Sequence, residues 1–155
     1  MRLLDPIPFR LPTDDIQQQL RVRSGSEDAA ALGRLLARAR QIARPRALYT
    51  EAFVEERGEE TVRVGSVTFR SRALRRSFDG VERVFPFVAT CGHELDEENP
   101  APPDDVVARF WWDAIQERLL DAALAAVTGS FERAFVEASR VLAVQGRLKL
   151  PFKNS

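Results

Sequence analysis

The chain has 155 residues, 45% hydrophobic and 30% charged, with 23 basic side chains balanced by 23 acidic ones. That length suits a single domain over residues 1–155, and so much apolar content at zero net charge excludes a disordered chain, which lacks the surface needed to offset ordering entropy. The same balance argues against a protein that wraps nucleic acid in a global positive field.

Pro6, Pro8 and Pro12 stand among apolar residues at the start and predict an extended edge segment. Thr13 is expected to cap a short helix reaching about Arg21, with Asp14 and Asp15 complementing its positive end. Ser26, Glu27 and Asp28 open a stronger helix, whose Leu32, Leu35, Leu36, Ala39 and Ile42 fall on one stripe before Pro45 ends it. Leu48 to Glu55 and Thr61 to Val64 read as strands joined by the hairpin loop Glu56-Arg57-Gly58-Glu59. Val67 to Phe69 adds a short strand, and Ser71 to Phe78 a short helix stopped by Asp79-Gly80. Arg83 to Thr90 is nearly continuous apolar sequence and predicts a buried strand despite Pro86.

After Pro100, Pro102 and Pro103, Asp104-Asp105 opens the longest helical pattern. Val107, Phe110, Trp111, Ala114, Ile115, Leu119, Ala122, Ala123 and Ala126 keep helical spacing and predict a face packed on the sheet. Gly129-Ser130 is expected to bend or interrupt it before Phe131, Phe135, Ala138, Val141 and Leu142 continue to about Val144. Gly146 then stops the helix, leaving a short basic tail. The order of elements predicts an α+β fold in which a twisted antiparallel sheet packs with long helices.

Cys91 is the only cysteine, which excludes an internal disulfide or a multi-cysteine metal site and favours an intracellular setting. The first residues lack the apolar run of a secretory signal, and no stretch approaches the ~20 apolar residues of a membrane span. A soluble cytoplasmic protein is expected.

Candidate chemistry concentrates in two places. The strand ending in Thr90 runs into Cys91-Gly92-His93-Glu94, a glycine turn with polar neighbours where a strand would fix the groups and a loop expose them. Cys91 with His93 as a thiolate–imidazole pair, or with His93 and Asp96 as a metal site, stands against a structural reading in which Cys91 packs inward and His93-Glu94 begins a helix. The structural reading is favoured, and no metal site is assigned. Asp113, Glu117 and Asp121 recur every four residues, so their carboxylates line one helix face, able to receive a cation or simply to face solvent. Trp111 and Trp112 are consecutive, which sends one into the core and leaves the other for a ligand or partner. There is no phosphate-binding glycine loop, dinucleotide fingerprint or nucleophile elbow, and the residues by themselves do not establish an enzyme.

Phe85-Pro86-Phe87-Val88-Ala89-Thr90-Cys91-Gly92-His93-Glu94-Leu95-Asp96-Glu97, followed by Asp104-Asp105 and Phe110-Trp111-Trp112-Asp113-Ala114-Ile115, resembles the S-adenosylmethionine-binding activation domain of cobalamin-dependent methionine synthase, in particular its small free-standing relatives. Val62 to Gly65 and Phe69 to Arg72 fit the lead-in, and the resemblance covers about residues 45–128. It implies a twisted antiparallel sheet with helices around it, and a role in methionine biosynthesis: holding S-adenosylmethionine beside a cobalamin-binding module while oxidised corrin is reduced and remethylated. Asp121 lies about where the family places a ligand-facing acid, and the candidate binding residues are Asp121, Glu117 and Asp113 on the long helix and Thr90, Gly92, His93 and Glu94 in the turn. The cobalamin would be carried by a corrinoid-binding protein or domain, with a homodimer also compatible and neither nucleic acid nor membrane expected. The family's Arg-x-x-x-Gly-Tyr or Pro-Gly loop has no counterpart in Lys149 to Ser155, and no Gly-Tyr follows Arg147. The expectation is either a piece of a longer chain or a short form with lost or altered S-adenosylmethionine binding. The other reading is a non-catalytic docking or oligomerisation domain of a corrinoid methyltransferase system.

Overall fold

The computed structural model describes the backbone of residues 1–144 and the side chains through Ala134. The predicted stop at Gly146, the basic tail, and the side chains predicted to extend the helix face beyond Ala134 lie outside the described residues. The architecture is α+β, with two antiparallel sheets and a long C-terminal helix.

β1 (Arg2–Leu4) leads to α1 (Thr13–Gln19). Thr13 is not its cap: Pro12 occupies that position without a side-chain acceptor, and the Thr13 hydroxyl instead accepts from Arg40 at 2.9 Å. α2 (Glu27–Ile42) begins as predicted, the Ser26 hydroxyl accepting from Ala29 N–H at 3.1 Å, and its stripe Leu32, Leu35, Leu36, Ala39 and Ile42 is buried.

The predicted strand from Leu48 to Glu55 is two strands, β2 (Arg46–Tyr49) and β3 (Ala52–Arg57), lying in different sheets. β4 (Thr61–Val64) and β5 (Val67–Arg70) follow β3 as a meander, and α3 (Arg72–Ser77) is capped by the Ser71 hydroxyl. The predicted buried strand from Arg83 to Thr90 is also divided, into β6 (Arg83–Val84) and β7 (Phe87–Thr90), and it is not buried: Val88 is 71% exposed. The sheet orders are β1-β2-β7 and β5-β4-β3-β6.

The two divisions have one cause. β2 pairs with β7 and β3 with β6 in a single antiparallel register, Tyr49 opposite Phe87 and Ala52 opposite Val84, so no residue is gained or lost between them. A two-stranded ribbon thus passes through both sheets and bends where Thr50-Glu51 faces Phe85-Pro86. Pro86 has no N–H to give, and its carbonyl accepts from Thr50 N–H at 3.1 Å. The buried face changes at the bend. In β2 the odd residues Ala47 and Tyr49 turn inward while Leu48 is exposed; in β3 the even residue Val54 is buried while Phe53 is 56% exposed. Helices packed on opposite sides of the ribbon explain the change.

α4 (Glu94–Glu97) is a single turn, and α5 (Val106–Val144) is one continuous helix through Gly129-Ser130. Ser130 does not interrupt it because its hydroxyl is paired with Tyr49 at 2.7 Å, and Gly129 has room for a methyl group, only an Arg133 side chain coming near. α5 packs Ile115, Leu119, Ala123 and Val127 inward. Trp111 and Trp112 are both buried, at 7% and 0% exposure, correcting the expectation that one would face a ligand. α5 is enclosed over a wide arc there, with Trp112 Nε1 donating to the Leu95 carbonyl at 3.0 Å. Phe110, counted on the packing face, is 61% exposed. Among the described residues no helix is long and apolar enough to cross a membrane.

The result is a large lobe (β1, α1, α2, β2, β7, α4, α5) and a small lobe (β3, β4, β5, α3, β6). In the small lobe Val54, Val62 and Val64 gather beneath Leu74 and Phe78, sharing no member with the clusters of the large lobe.

Candidate functional site

The turn after β7 is built by local chemistry. β7 pairs with β2 so that Thr90 lies opposite Arg46, and the Thr90 hydroxyl then accepts from Gly92 N–H at 3.1 Å. Gly92 has φ +107°, and a Cβ there would lie 3.0 Å from Arg44 N and 3.2 Å from Arg44 O. Glycine is required on both counts. The Cys91 carbonyl accepts from Arg44 N–H at 3.2 Å, clamping the turn to the segment between α2 and β2.

Glu94 is the electrostatic centre of the turn. Its partly exposed carboxylate lies 3.4 Å from Arg46 and 4.0 Å from Arg44, and His93 Nδ1 approaches it at 3.5 Å. A hydrogen bond from its own N–H holds the Glu94 carboxyl below its ordinary value against partial desolvation, with His93, Arg46 and Arg44 adding to the effect. Gln116 of α5 reaches across to Asp96 at 2.7 Å.

Cys91 and His93 do not form a nucleophile–base pair. Burial pushes the Cys91 thiol above its ordinary value; a hydrogen bond from its own N–H opposes this and the charge of Asp96 adds to it. A thiol held protonated is a poor nucleophile. The His93 ring faces Arg46, Glu94 and Glu97, while Cys91 packs against the core and His93-Glu94 begins α4, as the structural reading expected, with no capping hydrogen bond from the His93 side chain. Among the described residues no group of three or more His, Cys, Asp and Glu side chains is placed to hold a metal ion.

Asp113, Glu117 and Asp121 are all exposed on α5. Glu117 is two residues, or about 200°, from each of the buried Ile115 and Leu119, so the stripe runs along the outer face of the helix. Among the described residues no hydrogen bond or ion pair joins it to the Thr90–Glu94 turn. Within the turn the Thr90 hydroxyl and the Glu94 carboxylate are engaged with the protein itself, and Gln116, beside Glu117 on α5, bonds Asp96 just beyond it. No chemical step follows from this arrangement.

Two features escaped the sequence reading. Arg44 and Arg46 complete the surroundings of Glu94, but only the pairing of β2 with β7 brings them there, and nothing in their local sequence signals it. The other is a groove of about 610 Å³ where the lobes meet, lined by Val64, Phe69, Leu74 and Phe78 of the small lobe and by Phe87 and Phe131 of the large one. Phe131 stacks on Phe85 with ring centroids 5.0 Å apart and meets the edges of Tyr49 and Phe87. Scattered phenylalanines give no periodic signal, so this cluster is visible only in three dimensions. No family model matches the chain, and no curated protein matches it.

Proposed function

We propose that the protein is an accessory domain of corrinoid-dependent methyl transfer, of the kind that supports S-adenosylmethionine-dependent reductive remethylation of cobalamin in methionine synthase, acting in the cytoplasm beside a corrinoid-binding protein or domain. The observation that carries this reading is the stretch Thr90-Cys91-Gly92-His93-Glu94-Leu95-Asp96, whose resemblance to that activation domain coincides with a turn in which Gly92 is sterically required and Glu94 is held by two arginines. The exposed carboxylates of Asp113, Glu117 and Asp121 add a surface suited to a sulfonium cation. The corrin would supply the chemistry when present; this chain's residues would position and dock.

The engagement of Thr90 and Glu94 with the protein itself favours a second reading, a non-catalytic docking or oligomerisation domain of a corrinoid methyltransferase system. Calorimetric titration with S-adenosylmethionine, paired with co-sedimentation on a purified corrinoid-binding domain, separates the two. Saturable ligand binding that Asp121→Ala weakens supports the first. Retained association with the corrinoid domain and no heat from the ligand supports the second. Neither ligand binding nor association rules out both.

A further inference from the structure

Among the described residues the lobes are joined by the ribbon and by little else. Among the described residues every side-chain hydrogen bond and ion pair outside the bend lies within one lobe: Arg57, Arg63, Arg72 and Arg75 tie the small lobe to itself, and Arg38, Arg40 and Arg46 do the same in the large one. Their apolar clusters are separate as well. At the bend a single backbone bond, Thr50 N–H to the Pro86 carbonyl, spans the strands, flanked by the Arg83–Glu51 ion pair at 2.9 Å. What holds the angle is aromatic: Phe85, at the bend itself, stacks on Phe131 of α5 at 5.0 Å and 26° between ring planes, and Phe87 meets the same ring at 6.1 Å.

We propose that the small lobe is a lid, hinged where Thr50-Glu51 faces Phe85-Pro86 and latched by the stacking of Phe85 on Phe131, whose swing opens and closes the groove between the lobes. A body with its own core, attached through two extended segments, moves as a unit, because bending the ribbon costs few contacts while deforming either core costs many. The groove is the region that changes, since Val64, Phe69, Leu74 and Phe78 travel with the lid and Phe131 stays with α5. A pair of stacked rings accounts for roughly a two- to tenfold change in a two-state population, enough to latch a hinge without locking it.

The test uses the full chain carrying Cys91→Ser, with spin labels at Ser24→Cys in the large lobe and Ser66→Cys in the small lobe, both exposed positions. Pulsed dipolar spectroscopy gives the distance distribution between them. Control pairs lie within one lobe: Ser24→Cys with Asp113→Cys, and Ser66→Cys with Asp79→Cys. The expected result is an inter-lobe distribution broader than either control, shifted to longer distance by Phe131→Ala while the controls stay fixed. Phe85→Leu keeps apolar volume and removes the stacked ring, and it should give the same shift if Phe131→Ala unfolds the chain. An inter-lobe distribution as narrow as the controls and unmoved by Phe85→Leu overturns the proposal. So does a shift that appears equally within one lobe.

Discussion

Leu32, Leu36, Leu95, Trp112, Ile115 and Leu119 are buried completely in one cluster of the large lobe, drawn from α2, α4 and α5, whereas the small lobe closes on Val54, Val62 and Val64 beneath the partly exposed Leu74 and Phe78. One ribbon, in one register, serves both. In the large lobe it is covered by helices whose long apolar stripes supply most of the buried area. In the small lobe it must build a core from short β-branched residues and a helix of 6 residues. The same ribbon is therefore firmly held at one end and lightly at the other, and stability is expected to fall across the Pro86 bend.

The heaviest test of that contrast is Trp112→Ala. It removes a fully buried ring and leaves the Leu95 carbonyl without its indole donor, for an expected loss of about 3–5 kcal/mol in chemical denaturation. Val62→Ala, at an equally buried site of the small lobe, should cost only about 1–3 kcal/mol. Hydrogen exchange distinguishes the two in kind: Val62→Ala should strip protection from β3, β4 and β5 while α2 and the first half of α5 keep theirs. Equal loss of protection in both lobes would show that they unfold as one body and would break the comparison.

Gly92→Ala comes next. With φ at +107° and Arg44 backbone atoms 3.0 and 3.2 Å from the new Cβ, the turn must move, and the loss should exceed about 1 kcal/mol in thermal denaturation. An unchanged melting temperature would mean that the clamp between the turn and Arg44 is not what orders it.

How far the sequence predicts these features depends on whether one residue's environment is set by its neighbours in the chain. The α2 stripe and its start at Ser26, the short helix after Ser71, the hairpin at Gly58 and the inward packing of Cys91 are all legible, because helical periodicity and turn chemistry act over a few residues. The ribbon is not. Its sequence from Arg83 to Thr90 is apolar on alternate faces for two different cores, so periodicity reads it as one buried strand; the change of face depends on which side α5 and α3 occupy. Likewise Trp111 and Trp112 are both buried because the surroundings of α5 wrap around it, which spacing along one helix does not reveal. Of the candidate site, the turn was legible through Gly92 and the polar run after it, while Arg44 and Arg46 were not, since they come from a strand distant in sequence.

A smaller effect is expected from Glu94→Gln, read against pH. The folded protein holds this carboxyl below its ordinary value, so the stabilisation is present above the unfolded glutamate pKa of about 4.3 and is lost as pH falls through the folded value. Stability measured against pH should therefore decline more steeply on acidification in the parent protein than in Glu94→Gln, and the variant should be the less stable of the two near neutrality. Parallel acid limbs would remove Glu94 from its place as the electrostatic centre of the turn.

The smallest effect is also the one that most directly separates folding from docking. Leu3, Leu48 and Val88 stand opposite one another across β1, β2 and β7, and they are 63%, 36% and 71% exposed, so the outer face of this sheet carries an apolar row. Arg46 and Thr90 continue the same face toward the Gly92 turn, since they alternate in phase with Leu48 and Val88. Val88→Thr keeps the β-branched shape and removes apolar surface that the folded chain leaves in water, so its stability should stay within about 0.5 kcal/mol of the parent. If this face is where a corrinoid-binding domain sits, the same variant should weaken co-sedimentation with that domain, and Leu48→Thr should weaken it further. Such a loss, without a change in melting temperature, would assign the large lobe's bare sheet face to recognition. Undiminished association would leave docking to the acidic face of α5 or to the small lobe. A melting temperature that falls with Val88→Thr would mean instead that the row is part of the folded core, and the contrast between a covered and an uncovered face of the ribbon would fail at its firmest end.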